Sequence, residues 1–340
     1  MENKNNLDTN IFQSNIFIYL FFLSLLILLI IIASIYLITE NKKYKIISPK
    51  SKNNYQIVST EFKDKNSISI NKTEISTKTT TILLTGDIML GRSVMGTSLA
   101  KNNPNYPFKE VAEVVKSADI TFSNLENPIT KNCPTSNDGF IFCTDPKMIN
   151  GLNYAGVDIV NLANNHTKNY GQDGINQTKK YLIDSGIDYV GLENLITKNI
   201  NGIKFGFLGF DFVSQKPTDS DYTLISDYKK NIDVLIIMVH WGVEYVSIPN
   251  SNQKEIAKNL INAGADVIVG GHPHWVQSIE YISEKPVFYS LGNFIFDQSW
   301  SEETKKGLAI KLTYQNNQLI KIDQLPIYMK NFAQPEWVVN

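Results

Sequence analysis

The residues able to do metal chemistry in this 340-residue chain stand at the ends of short apolar segments. All four histidines lie in polar motifs that follow such segments, and three other polar residues occupy comparable positions. The set is Asp87, Glu126, Asn165, His166, His240, His272 and His274. A single histidine near a strand is usually an ordinary core or surface residue, but here no histidine is left over. Carboxylate, imidazole and amide ligands at strand ends predict a two-metal centre on one edge of a sheet.

The GGHPH motif adds a geometric expectation. In an extended chain, residues i and i+2 point to the same side, so His272 and His274 can face one site. The preceding Gly270 and Gly271 allow a close backbone approach, or they mark only a turn.

The elements that must position these residues alternate between strand and helix from Thr80 onward. Strands are predicted for the segments TILLT, DITFSNL, DIVNLA, IDYVGL, KFGFLGF, VLIIMVH, PVFYSLGNF, GLAIKLTY and LIKIDQLPIY. Helices are predicted over 108–118, 146–155, 171–186 and 252–263, where apolar residues recur at helical spacing. This alternation indicates an α/β fold of stacked sheet and helix layers. Ligands at the carboxyl ends of strands fit the general rule for sites in such sheets.

The motifs GDIMLGR, NLENPIT, NLANNHTKNYG, VHWGVEY, GGHPHWVQ and YSLGNFIFDQ occur in that order over residues 80 to 300. Together they resemble the capsule-synthesis protein CapA family, which is tied to poly-γ-glutamate synthesis or export. That family is similar to the calcineurin-like metallophosphoesterases. The resemblance implies a four-layer α/β/β/α sandwich.

The resemblance also implies roles for the site residues. Asp87 and His274 would hold one divalent ion, and a second set would hold another, with Glu126 as the bridge. The second set is Asn165, His240 and His272. The ions would be Mn, Zn or Fe, one or two in number, and His166 with Asp87 would take part in catalysis. Two residues depart from the phosphoesterase pattern: Met89 stands where a histidine is usual, and Glu126 replaces an aspartate.

Four residues are candidates for substrate binding. Arg92 is the only arginine among 32 basic residues, and a guanidinium binds a carboxylate or phosphate through paired hydrogen bonds, although it can also serve structural packing. Trp241 and Trp275 follow motif histidines and either line the cleft or fill the core. Asn293 either reaches the site or caps a turn.

The chain divides into five segments. Residues 1–15 form a short N-terminal segment, 16–38 a transmembrane helix, 39–79 a flexible linker, 80–330 the CapA-like domain and 331–340 a C-terminal tail. The 16–38 run carries no charge and, at about 1.5 Å per residue, is long enough to cross a bilayer as a helix. A cleaved signal peptide is the alternative, but no small-residue cleavage site follows.

The orientation of this helix is contested. Five lysines follow the span and one precedes it, which favours a cytoplasmic C-terminal domain. The resemblance implies the reverse, a single-pass cell-membrane protein with its C-terminal domain outside, and we adopt this orientation. Cys133 and Cys143 are close enough to form a disulfide, which persists in an oxidising compartment, or they are two free thiols.

The resulting functional hypothesis is a membrane-anchored protein that acts in synthesis or export of an anionic capsule or cell-wall polymer. Its substrate would be poly-γ-glutamate-like or a glycopeptide, and it would work through a metal-dependent hydrolase or transferase site, within a membrane-bound complex. The alternatives are a metallophosphoesterase on small phosphate esters and a non-catalytic polymer-binding module. A net charge of −1 gives no basic surface for nucleic acid.

Overall fold

The computed structural model describes residues 60–61, 78–135, 139–331 and 333–338. The predicted membrane span at 16–38, the segment 1–15 and nearly all of the linker 39–79 lie outside these residues. Across the described part of the chain, the helices are all too short or too polar to cross a bilayer.

The strands follow one another in chain order as follows: β1 (Thr60–Glu61), β2 (Thr80–Ile88), β3 (Ile120–Leu125), β4 (Ile159–Asn161), β5 (Asp188–Val190), β6 (Ile196–Ile200), β7 (Ile203–Asp211), β8 (Val234–His240), β9 (Val267–Gly271), β10 (Ile279–Ile282), β11 (Lys285–Phe288), β12 (Asn293–Ile295), β13 (Lys306–Gln315), β14 (Gln318–Asn331) and β15 (Gln334–Trp337). The helices are α1 (Arg92–Ala100), α2 (Ala112–Lys116), α3 (Ile149–Ala155), α4 (Gly171–Asp184), α5 (Asp219–Lys229), α6 (Ser251–Ala263) and α7 (Glu302–Lys305). Short 3₁₀ turns cover Tyr106–Phe108 and Pro146–Met148.

The strands in the described part of the chain form two sheets. The first has the order β1-β14-β13-β2-β3-β4-β5, with β12 paired to β2 and β15 paired to β14. The second has the order β10-β11-β9-β8-β7-β6. The central strands β2 to β5 are mutually parallel, as are β7 to β9. Their carboxyl ends therefore point the same way within each sheet.

Three apolar clusters show how the layers pack. Because alternate residues of a strand face opposite sides, Ile82 and Leu84 of β2 face the second sheet while Leu83 faces outward. The middle cluster joins β2 and β3 to β7, β8 and β9, and the two outer clusters join each sheet to its helices. The helix, sheet, sheet, helix order follows from these contacts. Strand β8 is buried along its whole length, as expected for a strand covered on both faces.

The structure changes several expected boundaries. The helix predicted over 108–118 is α-helical only in α2, and helices α1 and α5 were not predicted. The domain also continues past residue 330, because β14 ends at Asn331 and β15 pairs with it, Ile327 lying opposite Trp337. At the other end, β1 within the predicted linker pairs with β14.

The extended conformation expected for the GGHPH motif was wrong. His272 and His274 have φ angles of 91° and 57°, so both are in the left-handed region and not in an extended strand. The motif turns sharply after β9. The close approach expected of the glycines is present, because a Cβ on Gly271 would lie 2.4 Å from Oδ1 of Asp87.

Candidate metal centre

The carboxyl ends of strands from both sheets meet at one place and bring the predicted ligands together. Ligand atoms of Asp87, Glu126 and His274 lie within 4.8 Å of one another, and all three residues are buried. Asp87 comes from the end of β2, Glu126 directly follows β3, and His274 lies beyond β9. Three segments far apart in sequence thus build one cluster.

The second predicted ligand set lies beside the first. The Oδ1 atom of Asn165 is 3.0 Å from Nε2 of His240. The His272 ring lies edge-on to the His240 ring, with centroids 4.9 Å apart. The backbone N–H of His272 donates to Oδ2 of Asp87 at 3.1 Å. All six residues expected to bind metal are therefore in one neighbourhood.

Glu126 lies between the two sets. Its Oε1 atom is 3.5 Å from Nε2 of His240, and its Oε2 atom is 4.0 Å from Nε2 of His274. The side chain is completely buried. One carboxylate thus turns a different oxygen toward each set, which is the arrangement that a bridging ligand requires.

Asn124 is a central residue of the cluster that was not predicted from the sequence. Its Nδ2 atom donates to Oδ1 of Asp87 at 2.8 Å and to Oε1 of Glu126 at 3.1 Å, and it lies 3.2 Å from Nδ1 of His240. Its Oδ1 atom accepts from the amides of Asn161 and Asn164. A single buried amide therefore fixes both carboxylates. The signal was available, because Asn124 and Glu126 are two residues apart at the end of a strand and share a side.

Asn293 orients His274 and does not face a substrate. Its Nδ2 atom donates to the Thr304 carbonyl at 2.9 Å and to Oε1 of Gln298 at 3.0 Å, which fixes the direction of the amide. Oδ1 of Asn293 then lies 3.0 Å from Nδ1 of His274 and can only accept. The Nδ1 atom of His274 therefore carries hydrogen, and its Nε2 atom is left for a ligand. Asn293 is 1% exposed, so the prediction that it binds substrate is corrected to a positioning role.

The two central carboxyl groups differ in charge state. Burial raises the pKa of Asp87, but the hydrogen bond and charge of His274 and the charge of His240 outweigh it and lower the pKa to about 2. Burial and the neighbouring Asp87 charge raise the pKa of Glu126 well above its usual value. Two carboxylates packed together cannot both ionise easily, so one of them holds a proton until a cation replaces it.

His166 lies at the edge of the cluster in a defined tautomer. Oδ1 of Asn169 accepts the Phe142 backbone N–H at 2.7 Å and lies 3.1 Å from Nδ1 of His166, which therefore donates to it. The free Nε2 lone pair faces Nδ2 of Asn165 at 3.4 Å. Burial lowers the pKa of His166 to about 4, so its imidazole is neutral at pH 7. In this state His166 can accept a proton at Nε2.

A disulfide loop packs against His166. Cys133 and Cys143 are bonded, with their Cα atoms 5.8 Å apart, which confirms the pairing considered from the sequence. Phe142, next to Cys143, stacks on the His166 ring with centroids 4.0 Å apart. The loop therefore holds the imidazole in place.

Arg92 is already engaged by protein groups. Its guanidinium forms a salt bridge with Asp297, whose side chain is 3% exposed, and it donates to the Gly139 carbonyl at 2.9 Å. It also lies over the Phe142 ring, 4.7 Å from the centroid. Since these contacts use the guanidinium fork, the structure favours the packing role over the predicted substrate contact.

The two tryptophans have different surroundings. Trp241 is 1% exposed, stacks on Tyr289 in the outer core and donates Nε1–H to the Tyr289 carbonyl at 2.8 Å. The prediction that it lines the cleft is therefore wrong. Trp275 is half-buried and lies near Tyr245, which in turn neighbours His274 with ring centroids 5.9 Å apart. A substrate contact for Trp275 stays a prediction.

The donor set fits a divalent metal. It combines carboxylate oxygens, imidazole nitrogens and one amide oxygen, the ligands of transition-metal hydrolytic sites. The fit is supported by an orphan atom, because Oε2 of Glu126 is buried without a hydrogen-bond partner. Such an atom is costly unless a cation or another donor satisfies it.

Met89 lies away from the ligands. It is completely buried in the outer core of the first sheet, and its Sδ atom accepts the Gly91 N–H at 3.0 Å. It therefore does not replace the histidine that the resemblance leads one to expect there.

The matching family model and two curated relatives carry names that refer to capsule or PGA biosynthesis. Residues 81–298 match the family model described as "Bacterial capsule synthesis protein PGA_cap". The chain is 30% identical over 276 residues to "Capsule biosynthesis protein CapA" of Bacillus anthracis, covering 73% of this chain and 67% of that protein. It is 31% identical over 266 residues to "PGA biosynthesis protein CapA" of Bacillus subtilis (strain 168), covering 71% and 70%.

Among solved structures, a hypothetical protein from Thermus thermophilus aligns with a TM-score of 0.49 at 12% identity, covering 72% of this chain and 98% of that one. This similarity is too low to bear on function. The match of the family model over most of the folded domain and the two Bacillus relatives are sufficient: the chain belongs to the bacterial capsule synthesis protein PGA_cap family.

Proposed function

We propose that this protein is a membrane-anchored accessory factor in synthesis or export of an anionic capsule or cell-wall polymer. Its substrate would be poly-γ-glutamate-like or a glycopeptide, and its site a metal-dependent hydrolase or transferase centre. Support comes from family membership and from the names of the Bacillus relatives, which refer to capsule and PGA biosynthesis.

The observation that carries the metal-dependent part is the position of Glu126. Its two oxygens face His240 at 3.5 Å and His274 at 4.0 Å. One of these oxygens is buried without a hydrogen-bond partner. A purely structural glutamate in this position would be expected to have a donor for each oxygen.

Electrostatics connect the metal to the proposed substrate. Asp87, Glu126 and Glu244 all lie within 4.0 Å of a ring nitrogen of His274. The nearby guanidinium of Arg92 is neutralised by Asp297. A site with this balance repels a polyanion, and bound divalent cations reverse that repulsion. Polymer binding is therefore expected to require metal.

The residues of the chain supply the remaining chemistry. A divalent metal, when bound, would acidify a water molecule and polarise the bond that is broken. His166 is neutral at pH 7 and presents Nε2 to the site, so it can take a proton from the attacking water or hydroxyl group. The same nitrogen can then return the proton to the leaving group. Asn124 holds Asp87 and Glu126 in position throughout.

We also propose that residues 16–38 anchor the protein in the cell membrane with the folded domain outside the cytoplasm, within a synthesis or export complex. The Cys133–Cys143 bond supports this orientation, because disulfides persist in oxidising compartments. Protease added to intact cells is expected to degrade the folded domain. Protection in intact cells, with cleavage only after lysis, would contradict this orientation.

The function is tested with purified protein, reconstituted with Mn²⁺ or treated with chelator, and a defined poly-γ-glutamate. Size-exclusion chromatography measures polymer length, and equilibrium dialysis measures binding. We expect binding and polymer shortening or transfer with metal only, and loss of both in Glu126→Gln. The matched control is Glu255→Gln, which removes one charge from the exposed face of α6.

Three other outcomes would contradict the proposal in different ways. Turnover of small phosphate esters without action on polymer would favour the metallophosphoesterase alternative. Metal-independent polymer binding without turnover would favour the binding module. Protein that retains no metal would remove the metal-dependent site altogether.

A further inference from the structure

Glu244 is a carboxylate that no expected ligand set includes, yet it faces a candidate ligand atom. Its Oε1 atom is 3.9 Å from Nε2 of His274. It lies in the loop that follows β8, four residues after His240. The loop thus brings a third carboxylate to the cluster.

The nitrogen that Glu244 faces is the one available to an ion. Because Nδ1 of His274 donates to Asn293, Nε2 is the ring nitrogen that can offer a lone pair to an ion. The orphan oxygen of Glu126 also faces this nitrogen, at 4.0 Å. Two carboxylates from separate elements therefore converge on the free lone pair of one histidine.

The distances suit ligands of a common ion. Two ligand atoms that each lie about 2.1 Å from one ion are at most about 4.2 Å apart, and about 3.4 Å apart in a tetrahedral site. The separations of 3.9 Å and 4.0 Å from Nε2 of His274 fall within that limit. A contraction of about half an ångström at each would bring them to tetrahedral spacing.

Two hydrogen bonds directly after Glu244 hold its loop against the segment that carries His274. The N–H of Tyr245 donates to the Pro273 carbonyl at 2.8 Å, and Nε2 of Gln277 donates to the Val246 carbonyl at 2.8 Å. The backbone next to Glu244 is thus fixed to the segment that carries His274. The Glu244 side chain itself is 36% exposed, so its carboxylate is free to make a small adjustment.

We propose that Glu244 is a ligand of the metal position at His274, where it supplies the donor that Met89 does not. The inference rests on the proposed metal-dependent function. The ligands assigned to this metal position are Nε2 of His274, Oε2 of Glu126 and the Glu244 carboxylate. Asp87 lies next to them. The other position remains with His240, His272 and Asn165.

The test measures metal stoichiometry and affinity, independent of activity. Full-length wild type, Glu244→Gln, Glu244→Asp and the control Glu255→Gln are stripped with chelator and titrated with Mn²⁺ by calorimetry, and bound metal is counted by elemental analysis after dialysis. We expect wild type and Glu255→Gln to bind two ions. Glu244→Gln should keep one ion and bind the other at least tenfold more weakly, with Glu244→Asp intermediate.

The possible outcomes distinguish failure of the Glu244 assignment from failure of the proposed metal-dependent function. If wild type binds two ions and Glu244→Gln binds both with unchanged affinity, the assignment of Glu244 is wrong and the metal-dependent site stands. If wild type binds none, the proposed function fails first and the assignment fails with it. Circular dichroism of each variant excludes loss of metal through misfolding, and the partly exposed position of Glu244 predicts unchanged spectra.

Discussion

Replacement of Arg92 separates a structural ion pair from a substrate contact. The Asp297 carboxylate that pairs with Arg92 is 3% exposed, and it also accepts the N–H of Ser93 at 3.1 Å. In Arg92→Met this carboxylate stays buried without its cation. Breaking a buried pair from one side costs about 3–5 kcal/mol. For a domain of this size, that loss corresponds to a fall in Tm of roughly 6–20 °C.

Three further variants separate the charge of Arg92 from its specific pairing with Asp297. Arg92→Lys keeps the charge but loses the paired geometry, so a loss of about 1–2 kcal/mol is expected. In the double variant Arg92→Met with Asp297→Asn, the unpaired charge is gone, and stability should recover most of the loss seen in Arg92→Met. Urea unfolding of wild type, the two single variants Arg92→Met and Asp297→Asn, and the double variant gives the coupling free energy directly.

A substrate contact of Arg92 would give a different combination of stability and affinity. If Arg92→Met unfolds like wild type, and its affinity for a poly-γ-glutamate fragment falls by roughly one to two orders of magnitude, Arg92 contacts substrate. Additive losses in the double variant would also show that the pair with Asp297 does not stabilise the fold.

Two other predictions concern acid stability and the disulfide. Burial lowers the pKa of His166 and of His272 to about 4 from 6.5, so the unfolded chain binds more protons between these values and metal-free protein should lose stability as pH falls through that window. Each histidine changes the free energy of unfolding by at most about 1.4 kcal/mol per pH unit. The raised pKa of Glu126 has the opposite effect and offsets the contribution of one histidine. A urea midpoint that rises on acidification from pH 6.5 to 4 would contradict the predicted loss of stability. Replacing Cys133 and Cys143 together by serine should lower the free energy of unfolding by about 2–3 kcal/mol, and two free, alkylatable thiols in protein from its native compartment would argue against the bond.

The clustering of the candidate ligands was predictable from sequence because its signal is local. Each candidate ligand ends or follows a strand, and parallel strands bring such ends to one edge. The same reasoning could have found Asn124, two residues before Glu126. It could not have found the partner of Arg92, because Asp297 is 205 residues away and only the folded chain brings the two together. For the same reason, the burial of Trp241 and the saturated amide of Asn293 had no local signature.

The helices also differ in whether their sequence carries a readable local signal. Helix α6 was predicted because Ile256, Leu260 and Ile261 form an apolar stripe and Gly264 follows its end. Helix α1 contains glycine, serine and threonine and has little amphipathic character, so burial of Val94 and Met95 in tertiary packing decides its structure. Helix α5 buries only Ile225, but its capping box of Thr218 and Asp221 was a readable signal.

We propose that Glu126 bridges two metal positions where the carboxyl ends of strands from the two sheets meet. The most direct measurement is an anomalous difference map from crystals of the protein grown with Mn²⁺. We expect two peaks about 3.5–4 Å apart, one between Glu126 Oε1 and His240 and one between Glu126 Oε2 and His274. Absence of density at Glu126, or peaks that contact neither of its oxygens, would show that Glu126 does not bridge a metal pair.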